Sequence, residues 1–312
     1  MKNIKQIKIG HDTSCNALVE QFAGTGVLGG GKLAHAVEIM HEILEPKNEY
    51  YKILSWEGPL VAAGFREVFT DAIREGHVDM IITNGASAVH DVIESLGLQH
   101  IQGDFHPAGG DEELHRQGFG RMGNALVPIK AFASFEDFCQ AAFKEIFAKR
   151  DSITIRELFW ELGARVKDEK SILHQAFRKK IPIYSPGFHD SMLGLQLAFF
   201  KQDNPRITVD AIGDMIPMKA DINAAKRVGA IIIGGGIPKH YTLASTVLRN
   251  GIDAAVNFTS SPEWDGTVSS ASLEEGKSWG KAKENAKLAT VRGDPFVSFA
   301  LAWAAVLERL KK

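Results

Sequence analysis

Ala230-Ile-Ile-Ile-Gly234-Gly-Gly236-Ile-Pro-Lys-His240 decides the fold. A short run of apolar residues enters three consecutive glycines. An unbroken apolar run of this length reads as a strand buried on both faces, the kind that parallel sheets contain. Open parallel sheets bind ligands beyond the C-terminal ends of their strands. Glycines there let the backbone approach a phosphate or a ring and offer free N–H groups. Taken alone, a glycine triplet after a strand is a tight turn about as often as a ligand site. It is not the GxGxxG fingerprint. Gly24-Thr-Gly-Val-Leu-Gly29 has that spacing but follows a helix rather than a strand, which argues against a nucleotide loop.

Outward from this stretch, the same alternation of strand, glycine turn and helix recurs. Tyr50–Trp56, Val78–Ile82, Ile181–Tyr184, Ile207–Ile212, Ala254–Thr259 and Ala289–Arg292 are strand candidates. The second of these runs into Thr83-Asn84-Gly85, another glycine-bearing mouth. Apolar spacing predicts helices near Ala17–Phe22 and over Leu33–Leu44, Leu60–Arg74, Val89–Leu96, Leu193–Lys201 and Phe296–Leu310. The pattern predicts an α/β fold with a doubly wound, mostly parallel, Rossmann-like sheet. Residues 103–123 are polar and glycine-rich and read as a long loop. Helices over Phe135–Lys149, capped by Ser134, and over Ile153–Val166 and Ser171–Lys179 form a helical insertion around 130–175. Residues 1–16 read as a polar N-terminal arm. No repeat or linker divides residues 17–312, so they read as a single domain.

Composition narrows the function. A net charge of −2 leaves no basic footprint for nucleic acid. No uncharged run reaches membrane-spanning length. Two cysteines, Cys15 and Cys139, give no disulfide framework and read as structural thiols. A cytoplasmic protein is expected. No histidine or carboxylate spacing argues for a metal site.

Residues 261–281 hold two tryptophans, four carboxylates and two lysines among small residues. That mixture reads as a pocket wall, with aromatic faces for an apolar or cationic ligand and carboxylates for cations. A helix over 272–287, capped by Ser272 with Glu275 three residues on, is expected to fix Lys281 to a rigid element. Asp190, Asp265 and Asp294 each follow a strand end and suit either ribose hydroxyls or a helix cap.

Gly-Gly-Gly-Ile-Pro-Lys-His240, Leu248-Arg-Asn-Gly251, Glu263-Trp-Asp-Gly266 and Ser278-Trp-Gly-Lys281 resemble deoxyhypusine synthase, in order and in interval. Weaker similarity covers Gly64-Phe-Arg-Glu67, Arg121-Met-Gly-Asn124 and Ile181-Pro-Ile-Tyr-Ser-Pro186. The resemblance implies an NAD-dependent transferase that moves an aminobutyl group from a polyamine such as spermidine through a lysine imine. By motif, Lys281 is the covalent lysine, while Trp279, Glu275 and His240 surround the amine. Asn84, Gly85, Asp190, Gly234, Gly235, Ser260, Asp265 and Asp294 fall at family NAD positions. The family works as a homotetramer with sites between subunits, on a protein acceptor lysine. A covalent lysine must be neutral to react, and an ordinary one near pKa ~10.4 is neutral only about once in a few thousand at pH 7.

Departures from the family shape the expectation. Val268 and Leu195 stand where carboxylates that hold spermidine are expected, and Ala244 replaces a polar position. On the cofactor side, Gly58-Pro59 replaces a Ser-Asn pair, Asn84-Gly85-Ala86 a Thr-Ala-Gly turn, and His90 a glutamate. Each lost carboxylate facing a desolvated ammonium would cost about 2–5 kcal/mol. The sequence therefore points to a deoxyhypusine synthase-like alkylamine transferase of polyamine metabolism. The alternatives are the authentic enzyme, acting on the hypusine-containing translation factor, and a catalytically silent NAD-binding paralogue.

Overall fold

The computed structural model describes residues 2–57 and 59–311, and the departure at Gly58 lies outside them. In chain order the elements are α1 (Cys15–Thr25), α2 (Leu28–Leu44), β1 (Tyr50–Trp56), α3 (Arg66–Arg74), β2 (Met80–Thr83) and α4 (Gly85–Ser95). Then come β3 (Ile101–Gln102), α5 (Gly110–Arg116), β4 (Phe119–Met122), β5 (Ala125–Pro128), α6 (Lys130–Phe147), β6 (Ser152–Thr154), α7 (Ile155–Arg165) and α8 (Ile172–Lys179). β7 (Ile183–Tyr184), α9 (Met192–Asp203), β8 (Thr208–Asp210), α10 (Met215–Ala224), β9 (Arg227–Ile233) and α11 (Gly236–Ala244) follow. β10 (Ile252–Thr259), β11 (Ala282–Arg292) and α12 (Pro295–Leu310) close the chain. No described helix is long and apolar enough to cross a membrane.

The chain forms two compact units. The first comprises Met1–Glu57, Val78–Ile82 and Ile216–Lys312; the second comprises Gly58–His77 and Thr83–Met215. In the first unit the sheet runs β11-β10-β9-β1-β2. β1 with β9, β9 with β10, and β10 with β11 are parallel. The fold is thus α/β around a mostly parallel sheet. β9 and β10 are buried along nearly their whole length, as their unbroken apolar runs require. The register pairs Trp56 with Ile233, Phe258 with Ile233, and Thr259 with Arg292. These pairings bring Glu57, Gly234, Ser260 and Gly293 out on one edge of the sheet. The described part of the arm, residues 2–14, has no helix or strand. It touches α1 through Lys5 N–H to Gly24 O and Lys8 N–H to Gln21 Oε1.

The second unit is mainly helical. Its small sheets are β3-β5-β4, which is antiparallel, and β6-β8, which is parallel. Asp91 on α4 ties it together. Its carboxylate, 1% exposed, accepts from Arg66 Nε at 2.7 Å, Ser171 Oγ at 2.7 Å and the Ile172 and Leu173 N–H groups that open α8.

Three local expectations are corrected. Residues 103–123 are not one loop, because α5 and β4 lie there and β4 pairs with β5. Ser134 caps nothing at the start of α6, which begins four residues earlier at Lys130. The helix over 272–287 is absent. A 3₁₀ turn, Glu274–Trp279, ends at Gly280 in the left-handed conformation (φ 66°), and β11 begins two residues later. Ser272 does cap, its Oγ accepting the Glu275 N–H at 3.3 Å, but it caps that turn.

Candidate active site

The first unit contains a cavity of about 330 Å³. Lys239, His240 and Leu243 of α11 form one wall. Gly266, Thr267, Val268, Ala271 and Ser272 of the following loop form another, and Glu275, Gly276, Trp279 and Lys281 complete it. Lys281, Trp279, Glu275 and His240 therefore share one cavity. Lys281 is half-buried, and its Nζ stands 5.4 Å from the centre of the Trp279 ring, a cation-over-ring geometry.

The backbone at Lys281 is pinned in spite of the missing helix. Its N–H donates to Gly276 O at 2.9 Å, and its carbonyl accepts from Ile252 N–H at 3.0 Å and Thr246 Oγ1 at 3.1 Å. Gly280 supplies the left-handed turn that swings the lysine from the 3₁₀ turn to the head of β11. His240 lies about one turn into α11, with its pKa lowered first by burial and then by the charge of Lys281. Val268 gives an apolar wall where a carboxylate was expected.

Sequence reasoning missed Lys239. It is 1% exposed and lines the same cavity. Its ammonium donates to Ala271 O at 2.6 Å and Ser269 O at 3.2 Å, fastening α11 to the loop opposite. Burial, and then the charge of Arg292, bring its pKa down to about 8. A lysine in sequence reads as a solvated head. Only the two carbonyls from a segment thirty residues away reveal this one.

The expected cofactor residues fall into two groups, one in each unit. On the sheet edge of the first unit, Gly234 takes φ 91°, a conformation that suits glycine. The N–H groups of the triplet are already engaged. Gly235 donates to the Glu57 carboxylate and Gly236 to Ser269 Oγ at 2.8 Å. Asp265 accepts from the Thr267 N–H and hydroxyl, and Asp294 caps α12 through the N–H groups of Phe296 and Val297. Ser260 is exposed just beyond β10. In the second unit, Asn84 caps α4 by accepting from Ser87 N–H, and Gly85 is packed tightly on Phe188 O and Ser191, in the segment that carries exposed Asp190. With its N–H groups taken and Glu57 facing it, the triplet mouth fits the hydroxyl-bearing part of a dinucleotide rather than its diphosphate.

The family model of deoxyhypusine synthase matches residues 17–306. The chain is 40% identical over 308 residues to a "Probable deoxyhypusine synthase" of Methanothermobacter thermautotrophicus, covering 99% of each. It is 36% identical over 299 residues to the protein of the same name from Methanopyrus kandleri, covering 96% of each. A crystal structure described as "a putative deoxyhypusine synthase from Entamoeba histolytica" shares the fold, with TM-score 0.68 and 19% identity over 98% of this chain and 97% of that one. The chain belongs to the deoxyhypusine synthase family and is a transferase.

Proposed function

We propose that the chain is an NAD-dependent alkylamine transferase of polyamine metabolism that carries an aminobutyl-type group on Lys281. The observation that supports this most is the shared cavity, in which a pinned lysine stands over a tryptophan ring beside Glu275 and His240. NAD, when bound, would supply a hydride acceptor for the carbon next to the amine and return the hydride later. Glu57, Ser260, Asp265 and Asp294 in the first unit are the side chains that would hold its hydroxyl groups. The chain's own residues do the rest. Trp279 offers a face to an alkylammonium, and Glu275 offers a carboxylate to its far end. His240, kept neutral, accepts a proton from the reacting amine. Lys281 Nζ adds to the oxidised carbon, the donor's original nitrogen takes up a proton and leaves as a free amine, and the lysine holds the alkyl group as an imine until an acceptor amine displaces it in the same way.

Val268 on the cavity wall supports the paralogue reading over the authentic enzyme, because an apolar side chain anchors no ammonium. A shorter or singly anchored amine suits such a wall. The authentic enzyme is favoured instead by identity spanning 99% of a relative of that name, and it predicts spermidine-dependent labelling of the translation factor. We further read residues 17–312 as one catalytic domain of a cytoplasmic homotetramer.

The test is chemical trapping. The protein is incubated with NAD and, in turn, spermidine, putrescine or agmatine, and then reduced with borohydride. An adduct on Lys281 with one amine is expected, and Lys281→Ala should abolish it while sparing NAD binding. Trapping that survives the substitution refutes the nucleophile assignment.

A further inference from the structure

Lys239 is a buried cation without an anion. It is 1% exposed, and no ion pair joins it to a described carboxylate. Its partners are two neutral carbonyls, Ala271 O at 2.6 Å and Ser269 O at 3.2 Å. Buried charges are ordinarily paired, and one that is not gives up its charge when its surroundings oppose it. The charged groups around Lys239 are mixed. Arg292, at the end of β11, opposes its charge, whereas Glu275 on the 3₁₀ turn and Asp265 in the loop after β10 favour it. His240 follows it on α11, and Lys281 lines the same cavity. Asp265 is turned to the Thr267 N–H and hydroxyl. Glu275 is the one carboxylate among the described lining residues, and the proposed function gives it to the ligand.

The hydrogen bonds at Lys239 do not need the charge. A lysine ammonium carries three N–H donors, and the neutral amine carries two. The two carbonyls use two. Lys239 can therefore lose a proton and keep both bonds that fasten α11 to loop 266–272. An alkylammonium that enters the cavity brings a second positive charge. Two cations in one cavity of about 330 Å³ are too close for salt to screen them. The ligand has Glu275 and the face of Trp279, while Lys239 has only neutral oxygens. Lys239 is also already poised to discharge, since burial first, and then the charge of Arg292, bring its pKa down to about 8.

We propose that Lys239 releases its proton when an alkylammonium binds, so that the cavity exchanges one cation for another while its wall keeps both hydrogen bonds. One N–H bond of Lys239 Nζ breaks, the electron pair stays on the nitrogen, and the proton passes to solvent. The inference rests on the proposed amine site and adds the residue that lets a cavity with a single lining carboxylate accept a cation. Binding that releases a proton tightens as pH rises, until the free protein has lost that proton as well.

The experiment titrates the full chain with putrescine and with spermidine in the presence of NADH, which cannot accept a hydride and so stops the chemistry before its first step. Calorimetry in two buffers of different ionisation enthalpy counts the protons released. About one proton is expected at pH 7, and amine affinity should rise about tenfold from pH 6.5 to pH 8. Both effects should vanish in Lys239→Met, whereas the proton release should remain in Lys281→Ala. Should Lys239→Met fail to fold, ¹³C NMR of the parent labelled at lysine Cε reads the same event. The resonance that titrates near pH 8 should move its midpoint down by about one pH unit or more when amine is added. Saturable amine binding without proton release, release that survives Lys239→Met, or an unmoved midpoint overturns the proposal and leaves the amine site standing. No saturable binding of either amine overturns the amine site and the proposal with it.

Discussion

The Glu57 carboxylate accepts the backbone N–H of Gly235 and lies so close to Gly236 that any side chain there would collide with it. Glu57 follows β1 directly and the triplet follows β9, so the parallel register itself delivers a negative charge to the mouth that the glycines open. A carboxylate already sits where an incoming anion would go.

Burial raises the Glu57 pKa. The cost of its charge is therefore absent below about pH 4.5 and appears as pH rises through the folded-state value. Glu57→Gln should be more stable than the parent at pH 7 and indistinguishable from it near pH 4, as measured by urea unfolding. The same substitution should weaken binding of NAD about tenfold, or ~1.4 kcal/mol, by replacing a carboxylate that accepts from ligand hydroxyls with a weaker acceptor. Tighter binding would show that the Glu57 charge repels the dinucleotide instead of holding it.

Lys281 and His240 are electrostatically linked, the charge of one lowering the pKa of the other after burial has done so first. Lys281→Ala should raise the His240 pKa toward its ordinary value in an NMR titration of the ring protons. An unmoved titration would mean that Lys281 carries no charge in the resting enzyme or lies farther away in solution.

Lys239 should leave a signature at alkaline pH. Its folded-state pKa, about 8, lies below the ordinary 10.5. Between those values the unfolded chain binds more protons, so this group adds stability as pH rises from 8 to 10.5. Lys239→Met should lose that increment, on the order of 3 kcal/mol at ~1.4 kcal/mol per pKa unit. Unfolding of both proteins at pH 7.5 and pH 10 measures it as a difference of differences.

Asp91→Ala removes a carboxylate that serves Arg66, Ser171 and the start of α8. Stripping one partner from a buried ion pair costs about 3–5 kcal/mol. Denaturant unfolding should show a loss of that size, and Asp91→Asn a smaller one.

What the sequence conveyed and what it hid follow from burial. β1, β9 and β10 were legible because both faces are covered, and their apolar runs had no competing period. β11 was half hidden. It is the outer strand of the sheet, and Lys283, Glu284 and Lys287 face out or pair with Asp253 and Glu42, so its first half reads as a charged helix. Residues 103–123 read as a loop because β4 is only partly buried and α5 is a short helix carrying three acidic residues in its first turn. Motif drew notice to Lys281 and His240, whereas Lys239, one residue before His240, passed unremarked. Its environment is supplied by Ser269 and Ala271, which no local pattern connects to it.

The chain crosses between its two units after Glu57, His77, Ile82 and Met215. Neither unit can therefore be translated as an uninterrupted polypeptide. A ribosome that stops before residue 216 leaves β1 and β2 without β9, β10 and β11, and no proteolytic nick or gene split in the middle third would release a self-sufficient half. Nonsense alleles of this gene should behave as complete losses, however late in the reading frame they fall before the final strand.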